Sequence, residues 1–190
     1  MSLELPVSPS SLGRALRRWR RLNDIKQTAI AETLRVSQTT VSRWESGQGK
    51  MSDREMATLV RMVGAQPDSD SDRALLDLVA GAAEPMHLVC DLSHRLLAAS
   101  PARMAAWRVG LETLRGRSLW RFASADIMRA EAALAGSGWH EAGSGEFAFQ
   151  TRFHDCETLW IGAGTIIWTR IPLSNGTMAR LVRDGARAAE

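Results

Sequence analysis

The chain has 190 residues, 45% of them hydrophobic, which is apolar material for one large or two modest cores and excludes a disordered chain. No apolar run approaches the roughly 20 residues of a membrane-spanning helix. The opening MSLELPVSPSS has neither the basic region nor the apolar stretch of a secretory signal, so the expected location is the cytoplasm, with no membrane partner. The net charge of +3 is unevenly divided: residues 1–64 hold eleven Lys and Arg against six Asp and Glu, whereas the rest hold thirteen against fifteen. A basic first third ahead of a slightly acidic remainder is the electrostatic footprint of a nucleic-acid binder joined to something else. Cys90 and Cys156, alone in a chain without a signal, are expected as two reduced thiols packed as small hydrophobes.

The first helix is predicted from about Ser10 to Leu22, with Leu12, Ala15, Leu16, Trp19 and Leu22 on one side at 3.6 residues per turn and Arg14, Arg17, Arg18 and Arg21 round the back. A second starts near Asp24, which with Gln27 three residues later has capping-box spacing, and runs to Leu34. A third follows Ser37, and a fourth begins at Ser52 with Glu55 completing another box and Met56, Leu59, Val60 and Val63 as its buried stripe. The polar, acidic run Gln66-Pro67-Asp68-Ser69-Asp70-Ser71-Asp72 has linker composition, and 72–82 can form a short amphipathic helix on Leu75, Leu76, Leu78 and Val79.

Beyond it the texture changes. Met86–Asp91 and Arg95–Ala99 are predicted as a hairpin, Pro101–Trp107 and Ala125–Leu134 as helices, and GSGWHEAGSG as a Gly-rich stretch. Three strands close the chain, Glu146–Phe153, Thr158–Arg170 and Thr177–Val182, with Ser174-Asn175-Gly176 as a strong turn signal. The expected fold class is therefore two domains: an all-α N-terminal domain over 1–65, a linker over 66–84, and an α+β C-terminal domain with an antiparallel sheet over 85–190.

At 100° per residue, Gln38, Thr39, Ser42, Arg43 and Ser46 of the third helix share one arc while Thr40, Val41 and Trp44 lie opposite. The first group is either an ordinary solvated face or one suited to base edges. Gln can bond adenine N6/N7, Arg guanine O6/N7, Thr can meet thymine's methyl, and short Ser side chains allow deep entry into the major groove.

Over about Leu12 to Val63 the sequence resembles the Cro/phage-repressor (XRE) type of helix-turn-helix, through Gln27 at the start of the second helix, Ala31, Val36 and Val41, and Trp44-Glu45-x-Gly47. The resemblance implies that Gln38, Thr39 and Arg43 read bases and that Ser42, Ser46 and Lys50 meet phosphate or sugar. It further implies that Gln27 holds a phosphate and braces the third helix, and that Arg20 and Glu45 form a partly buried ion pair. Where that family usually has Gly in the turn between the second and third helices, this chain has Arg35, which would carry a left-handed backbone and gain a phosphate contact; Asn23 is the kind of residue that tolerates the same conformation.

From Met86 onward, Val89-Cys90-Asp91, Arg95-Leu96-Leu97-Ala98-Ala99-Ser100-Pro101-Ala102, Leu114-Arg115-Gly116-Arg117-Ser118-Leu119 and the final strand–turn–strand resemble a PAS domain, a small antiparallel-sheet sensor fold. PAS domains commonly enclose a ligand, but no cofactor is expected here on these residues. Neither cysteine lies in a helix after an Asn, as light-sensing flavin chemistry needs. His140 is the one candidate axial ligand for haem and is expected at the surface or hydrogen-bonded. His154 and Cys156, alternating on one strand face, are only two of the ligands zinc needs. Adjacent His154-Asp155-Cys156 is not a triad drawn from separated segments, so no enzyme is expected. The aromatics, among them Trp107, Trp120, Trp139, Phe149 and Trp160, are core, dimer face or the lining of a pocket for a small organic ligand. The run Trp160–Trp168, apolar or small on both faces, reads as a strand with a core side and a partner side.

The expected function is a sequence-specific transcription regulator binding operator DNA as a homodimer through helix 38–46, its PAS-like region dimerising and sensing a signal, with RNA polymerase or another regulator as a further partner. The alternative is a protein–protein adaptor whose helix-turn-helix fold does not read DNA.

Overall fold

A computed structural model of the chain describes residues 9–140 and 145–185. Residues 141–144, the second half of the Gly-rich stretch, lie outside the described residues.

The N-terminal unit holds α1 (Pro9–Leu22), α2 (Gln27–Leu34), α3 (Gln38–Glu45) and α4 (Asp53–Val63). Of the expected stripes Leu12, Ala15, Leu16, Leu59, Val60 and Val63 are buried, with Ile30, Ala31, Val41 and Trp44, while Trp19 and Met56 are half-buried and Leu22 stands 58% exposed at the end of α1. Ser37 caps α3, its hydroxyl accepting from Thr40 N at 3.0 Å, and Ser52 with Glu55 forms the reciprocal box on α4. The predicted box at Asp24 is absent. Asp24 itself takes the left-handed conformation (φ 52°) expected of Asn23, α2 starts three residues later, and its N-cap Lys26 offers no side-chain bond. The reason lies in Gln27, whose amide is engaged by α3 and is not free to cap.

The helix α5 (Asp70–Ala80) follows, capped by Ser69 and Asp72. The C-terminal unit is a five-stranded antiparallel sheet in the order β2-β1-β7-β6-β3, from β1 (Met86–Cys90), β2 (Leu96–Ala99), β3 (Gly145–Thr151), β6 (Gly164–Pro172) and β7 (Met178–Asp184). A separate ribbon pairs β4 (His154–Asp155) with β5 (Trp160–Ile161). Thus the run 158–170 is not one strand. It breaks at Gly162-Ala163, and Gly164 at φ 146° re-enters the main sheet. Between β2 and β3 lie α6 (Pro101–Met104), α7 (Leu111–Leu114), α8 (Ala125–Ala133) and 3₁₀ turns at Leu119–Phe122 and Leu134–Gly136.

Both faces of the sheet are covered, and the period of two sorts the side chains between them. Leu88, Cys90, Leu97 and Ala179 face the helices α1–α5 in one continuous core with Leu12, Leu59 and Val63. Val89, Leu96, Ile166, Trp168 and Val182 face α6–α8 in a second core with Leu114, Ala130, Leu134 and Trp139. The N-terminal helices are thus docked on the sheet. The segment expected as a linker is seated: Gly64 bridges to Met178, Ala65 N donates to Cys90 Sγ at 3.2 Å, and Gln66 N donates to Thr177 Oγ1 at 3.2 Å. The Ser174-Asn175-Gly176 turn is the clasp. Asn175 Nδ2 donates to Gln66 O at 2.7 Å, Asn175 O accepts from Asn23 Nδ2 at 3.2 Å, and Ser174 N and Oγ donate to buried Asp72 at 3.0 and 2.6 Å.

Candidate nucleic-acid interface

The recognition face is built by close approach of α1 to α3. A Cβ on Gly13 would lie 1.9 Å from Trp44 O, so only glycine lets the two backbones come this near. That contact seats Trp44 in the core, its indole N–H donating to Lys50 O at 3.0 Å, and turns the opposite side of α3 outward. Gln38, Thr39, Arg43, Ser46 and Lys50 are exposed there and Ser42 is half-buried.

A chain of side chains runs from α1 to the start of α3. Arg20 grips Glu45 with two parallel bonds, Nε to Oε1 at 2.8 Å and Nη2 to Oε2 at 3.0 Å, and its Nη1 donates to Ile25 O at 2.8 Å. The side chain of Glu45 is 4% exposed, and its hydrogen bond is the main reason the Arg20 guanidinium is held above its ordinary pKa. Glu45 Oε2 also accepts from Gln27 Nε2 at 2.9 Å, and Gln27 Oε1 accepts from Gln38 Nε2 at 2.6 Å. Gln27 therefore braces α3 through two amide bonds within the protein. Gln38 is left with Oε1 and one N–H facing outward. Arg35 is exposed in the left-handed conformation (φ 54°, ψ 43°), where its N–H closes α2. On α1, Arg17 and Arg21 are exposed, but Arg14 and Arg18 are half-buried, and Arg14 Nη2 reaches Ala135 O at 3.5 Å in the C-terminal unit. Part of the basic surface read from the sequence thus turns toward the second domain.

The core of the C-terminal unit contains a buried charge cluster that no sequence motif announces. Asp91, fully buried, accepts from Arg180 Nε and Arg170 Nε at 2.8 Å each and from Trp139 Nε1 at 3.0 Å. Arg180 also pairs with Glu131, and its guanidinium lies over Trp168 (4.4 Å to the ring centroid) and Trp139 (5.3 Å). Burial disfavours every charge in this group, yet the mutual pairing prevails at most sites. Asp91 and Glu131 are held below, and Arg180 above, their ordinary pKa values; only Arg170 is lowered by its burial. His140 is buried beside this cluster, 3% exposed, rather than at the surface, and desolvation keeps it neutral to lower pH than usual.

Between the sheet and α6–α8 there is a cavity of about 90 Å³. Of the aromatics expected there, Trp107, Trp120 and Trp160 line it together with Trp168; Trp139 and Phe149 do not, the first being spent on the charge cluster and the second packed edge-on to Trp168 at 4.6 Å. His154 and Cys156 are not brought together with further ligands, and among the described residues no group of three or more His, Cys, Asp or Glu is placed to hold a metal ion. No helix of the described residues is long and apolar enough to cross a membrane.

Comparison with known proteins bears on the first unit directly. Residues 11–75 match the family model described as a helix-turn-helix domain. The helix-turn-helix thus spans α1–α4 and enters α5, about a third of the chain. For the second unit, one similar solved structure is the PAS domain from Bordetella pertussis BvgS, with 13% identity over 64% of this chain and 87% of that one at a TM-score of 0.36. At that score the likeness adds nothing to what the sheet order and inserted helices show. No curated protein matches the sequence. The molecule is an N-terminal helix-turn-helix followed by an α+β unit with the antiparallel sheet and inserted helices that the PAS resemblance implies.

Proposed function

We propose that this chain is a sequence-specific DNA-binding regulator of the Cro/phage-repressor type that engages operator DNA as a homodimer, with α3 of each protomer in the major groove. The observation that carries the reading is the helix-turn-helix with an outward face of Gln38, Thr39, Arg43 and Ser46, free of acidic side chains, whose foundation is fixed by the Arg20–Glu45–Gln27–Gln38 chain. Gln38 and Arg43 have the functional groups for adenine and guanine edges, with Thr39 beside them; Ser42, Ser46, Lys50 and Arg35 flank them for phosphate and sugar. Gln27 serves DNA indirectly, by aiming Gln38. One such helix makes too few base contacts to select a site in a genome, and two protomers about one helical turn apart supply the rest. Because the helix-turn-helix is docked on the sheet, the C-terminal unit sets how the two reading helices are presented, and a signal in its core is placed to change that presentation.

Genome-wide footprinting with wild type and Arg43→Ala tests this. Wild type protects paired half-sites and loses them steeply with added salt. Arg43→Ala loses preference at one base position per half-site at a cost of about 1–3 kcal/mol. Absence of sequence-selective protection at low salt, with the fold intact, would instead favour the adaptor reading.

A further inference from the structure

The sheet of the C-terminal unit has two edges, and they differ in how they are finished. At the β2 edge the loop after α7 takes the place of a further strand: Leu96 N donates to Arg117 O at 2.9 Å, Leu96 O accepts from Gly116 N at 3.0 Å, and Arg95 bridges to Ser118. The other edge is β3, and the direction of its backbone groups follows from β6. Gly185 N donates to Thr165 O at 2.8 Å, so the backbone groups of Thr165 point toward β7, and alternation along an antiparallel strand points those of Ile166 and Trp168 toward β3. Their partners Phe149 and Phe147 spend N–H and C=O on β6, which leaves those of Glu146, Ala148 and Gln150 directed away from the sheet. All three residues are exposed, and among the described residues no backbone group outside the sheet bonds them.

Edges of this length are usually blunted by proline, by lysine or by a bulge. β3 has none of these: its sequence GEFAFQT carries no proline or basic residue, and its register against β6 is unbroken from Gly145 to Thr151. Its one charge, Glu146, is held by Arg183 at 2.9 Å. The edge also reads almost the same in both directions about Ala148, as Glu146-Phe147-Ala148-Phe149-Gln150. An antiparallel copy centred on Ala148 therefore meets its own complement. Glu146 faces the partner's Gln150, a neutral amide, and Phe147 faces the partner's Phe149 on the side of α6–α8. Three N–H groups from each strand donate across the seam, six bonds in all. Shifted registers fit worse. A two-fold at Glu146 opposes two carboxylates, one at Phe147 sets Gln150 beyond the end of the partner's β3, and one at Phe149 or Gln150 calls on the Arg152 N–H, which already donates to Asp126 at 2.9 Å.

We propose that β3 is the dimer interface of this chain, pairing antiparallel with β3 of a second copy about a two-fold at Ala148 to make one continuous sheet. This deepens the homodimer of the function proposed above and rests on it. The two-fold runs perpendicular to the sheet, so both helix-turn-helix units lie on the same side, where they can meet one duplex. Pairing stops at two copies, because the interface is isologous and the β2 edge is occupied.

Sedimentation velocity of the full chain over a wide range of concentrations tests this. Wild type is a monomer–dimer equilibrium with no larger species. Ala148→Pro costs the chain no bond of its own sheet, since this N–H points outward, but removes two bonds at the centre of the seam and weakens the dimer by roughly tenfold or more. Gln150→Glu, a gentler variant should proline disturb the strand, sets Glu146 against a like charge twice and weakens the dimer by roughly fivefold or more at low salt. Combining Glu146→Gln with Gln150→Glu again sets amide against carboxylate and returns the wild-type constant to within about threefold. Far-ultraviolet dichroism stays native throughout. Single variants that dimerise as tightly as wild type, an exchange that does not rescue, or species larger than a dimer would each overturn the proposal and leave the homodimer reading standing; a wild type that stays monomeric at every concentration overturns both. Arg43→Ala keeps the wild-type dimer constant, so a failure of DNA reading is distinguishable from a failure of this seam.

Discussion

Glu45 shows how one carboxylate can serve two ends. It receives both guanidinium bonds of Arg20 and one amide bond of Gln27, so its removal leaves a 15% exposed guanidinium without its partner and releases the amide that aims Gln38. Breaking one side of a largely buried pair costs about 3 kcal/mol or more. Glu45→Ala is expected to lower the melting temperature by several degrees and to blur base preference at the position Gln38 meets. Arg43→Ala, whose side chain is exposed, is expected to leave melting nearly unchanged and to weaken DNA binding; thermal melts and operator titrations on both variants check this, and the reverse pattern would show that the roles are exchanged. The resemblance to the repressor family implied the Arg20–Glu45 pair. The same resemblance implied that Gln27 braces α3; which residues it bonds, Glu45 and Gln38, depends on where α3 crosses α2 and is not written in the sequence.

At the level of elements, the turn between α2 and α3 carries a measurable strain. Arg35 sits at φ 54° with a Cβ that clashes in this conformation, at a cost of about 1–2 kcal/mol relative to glycine. Arg35→Gly is expected to stabilise the folded chain by about 1 kcal/mol, the greater freedom of glycine in the unfolded chain offsetting part of the gain. It is also expected to reduce the salt dependence of DNA binding by about one phosphate contact. Denaturant midpoints and affinities at several salt concentrations read the two effects separately. The position was legible because the family's pattern has glycine there. The neighbouring turn was misread: Asp24 has the chemistry of a cap and was assigned one, but the chain needed a left-handed residue between α1 and α2 and used Asp24 for that. Strand ends were misread for a similar reason. The apolar run through Trp160–Trp168 has strand character throughout, yet β5 pairs with β4 and β6 with the main sheet, so the break falls where two different partners compete.

For the whole molecule, the buried ionisable groups set the response to acid. His87 and His140 are kept neutral by burial, with folded pKa values below the ordinary imidazole value, so the unfolded chain takes up protons first as pH falls and stability declines from about pH 6.5 downward. Asp91, Glu131 and Asp72 are held below the ordinary carboxylate value, as is Asp126, lowered to about 2 chiefly by its bond from Arg152. Their contribution is fully present above about pH 4 and is lost as pH falls through their folded values. Melting followed from pH 8 to pH 3 is therefore expected to fall in two stages. The upper stage is smaller in His140→Phe; a melting temperature that rises on acidification from pH 7 to 5 would contradict the assignment of neutral, buried imidazoles. Since Asp72 fastens α5 to the Ser174 turn and Asp91 anchors the sheet, the lower stage should release both units together.

The sequence by itself determined the helical unit, its caps at Ser37 and Ser52, the outward residues of α3 and the α+β character of the remainder, because each follows from local periodicity, local hydrogen bonding or a motif of fixed spacing. Only the tertiary structure decided that the two units share a core. The polar run at 66–72 has the composition of a free tether, but the backbone N–H and C=O of Gln66 are satisfied by Thr177 and Asn175, more than a hundred positions away, and Ala65 just before it donates to Cys90 Sγ. The same holds for the charge cluster. Asp91, Glu131, Arg170 and Arg180 look like scattered surface charges when read in line, and strand pairing across the sheet converts them into a buried network. Burial and pairing are properties of chain crossings, and no local pattern encodes them.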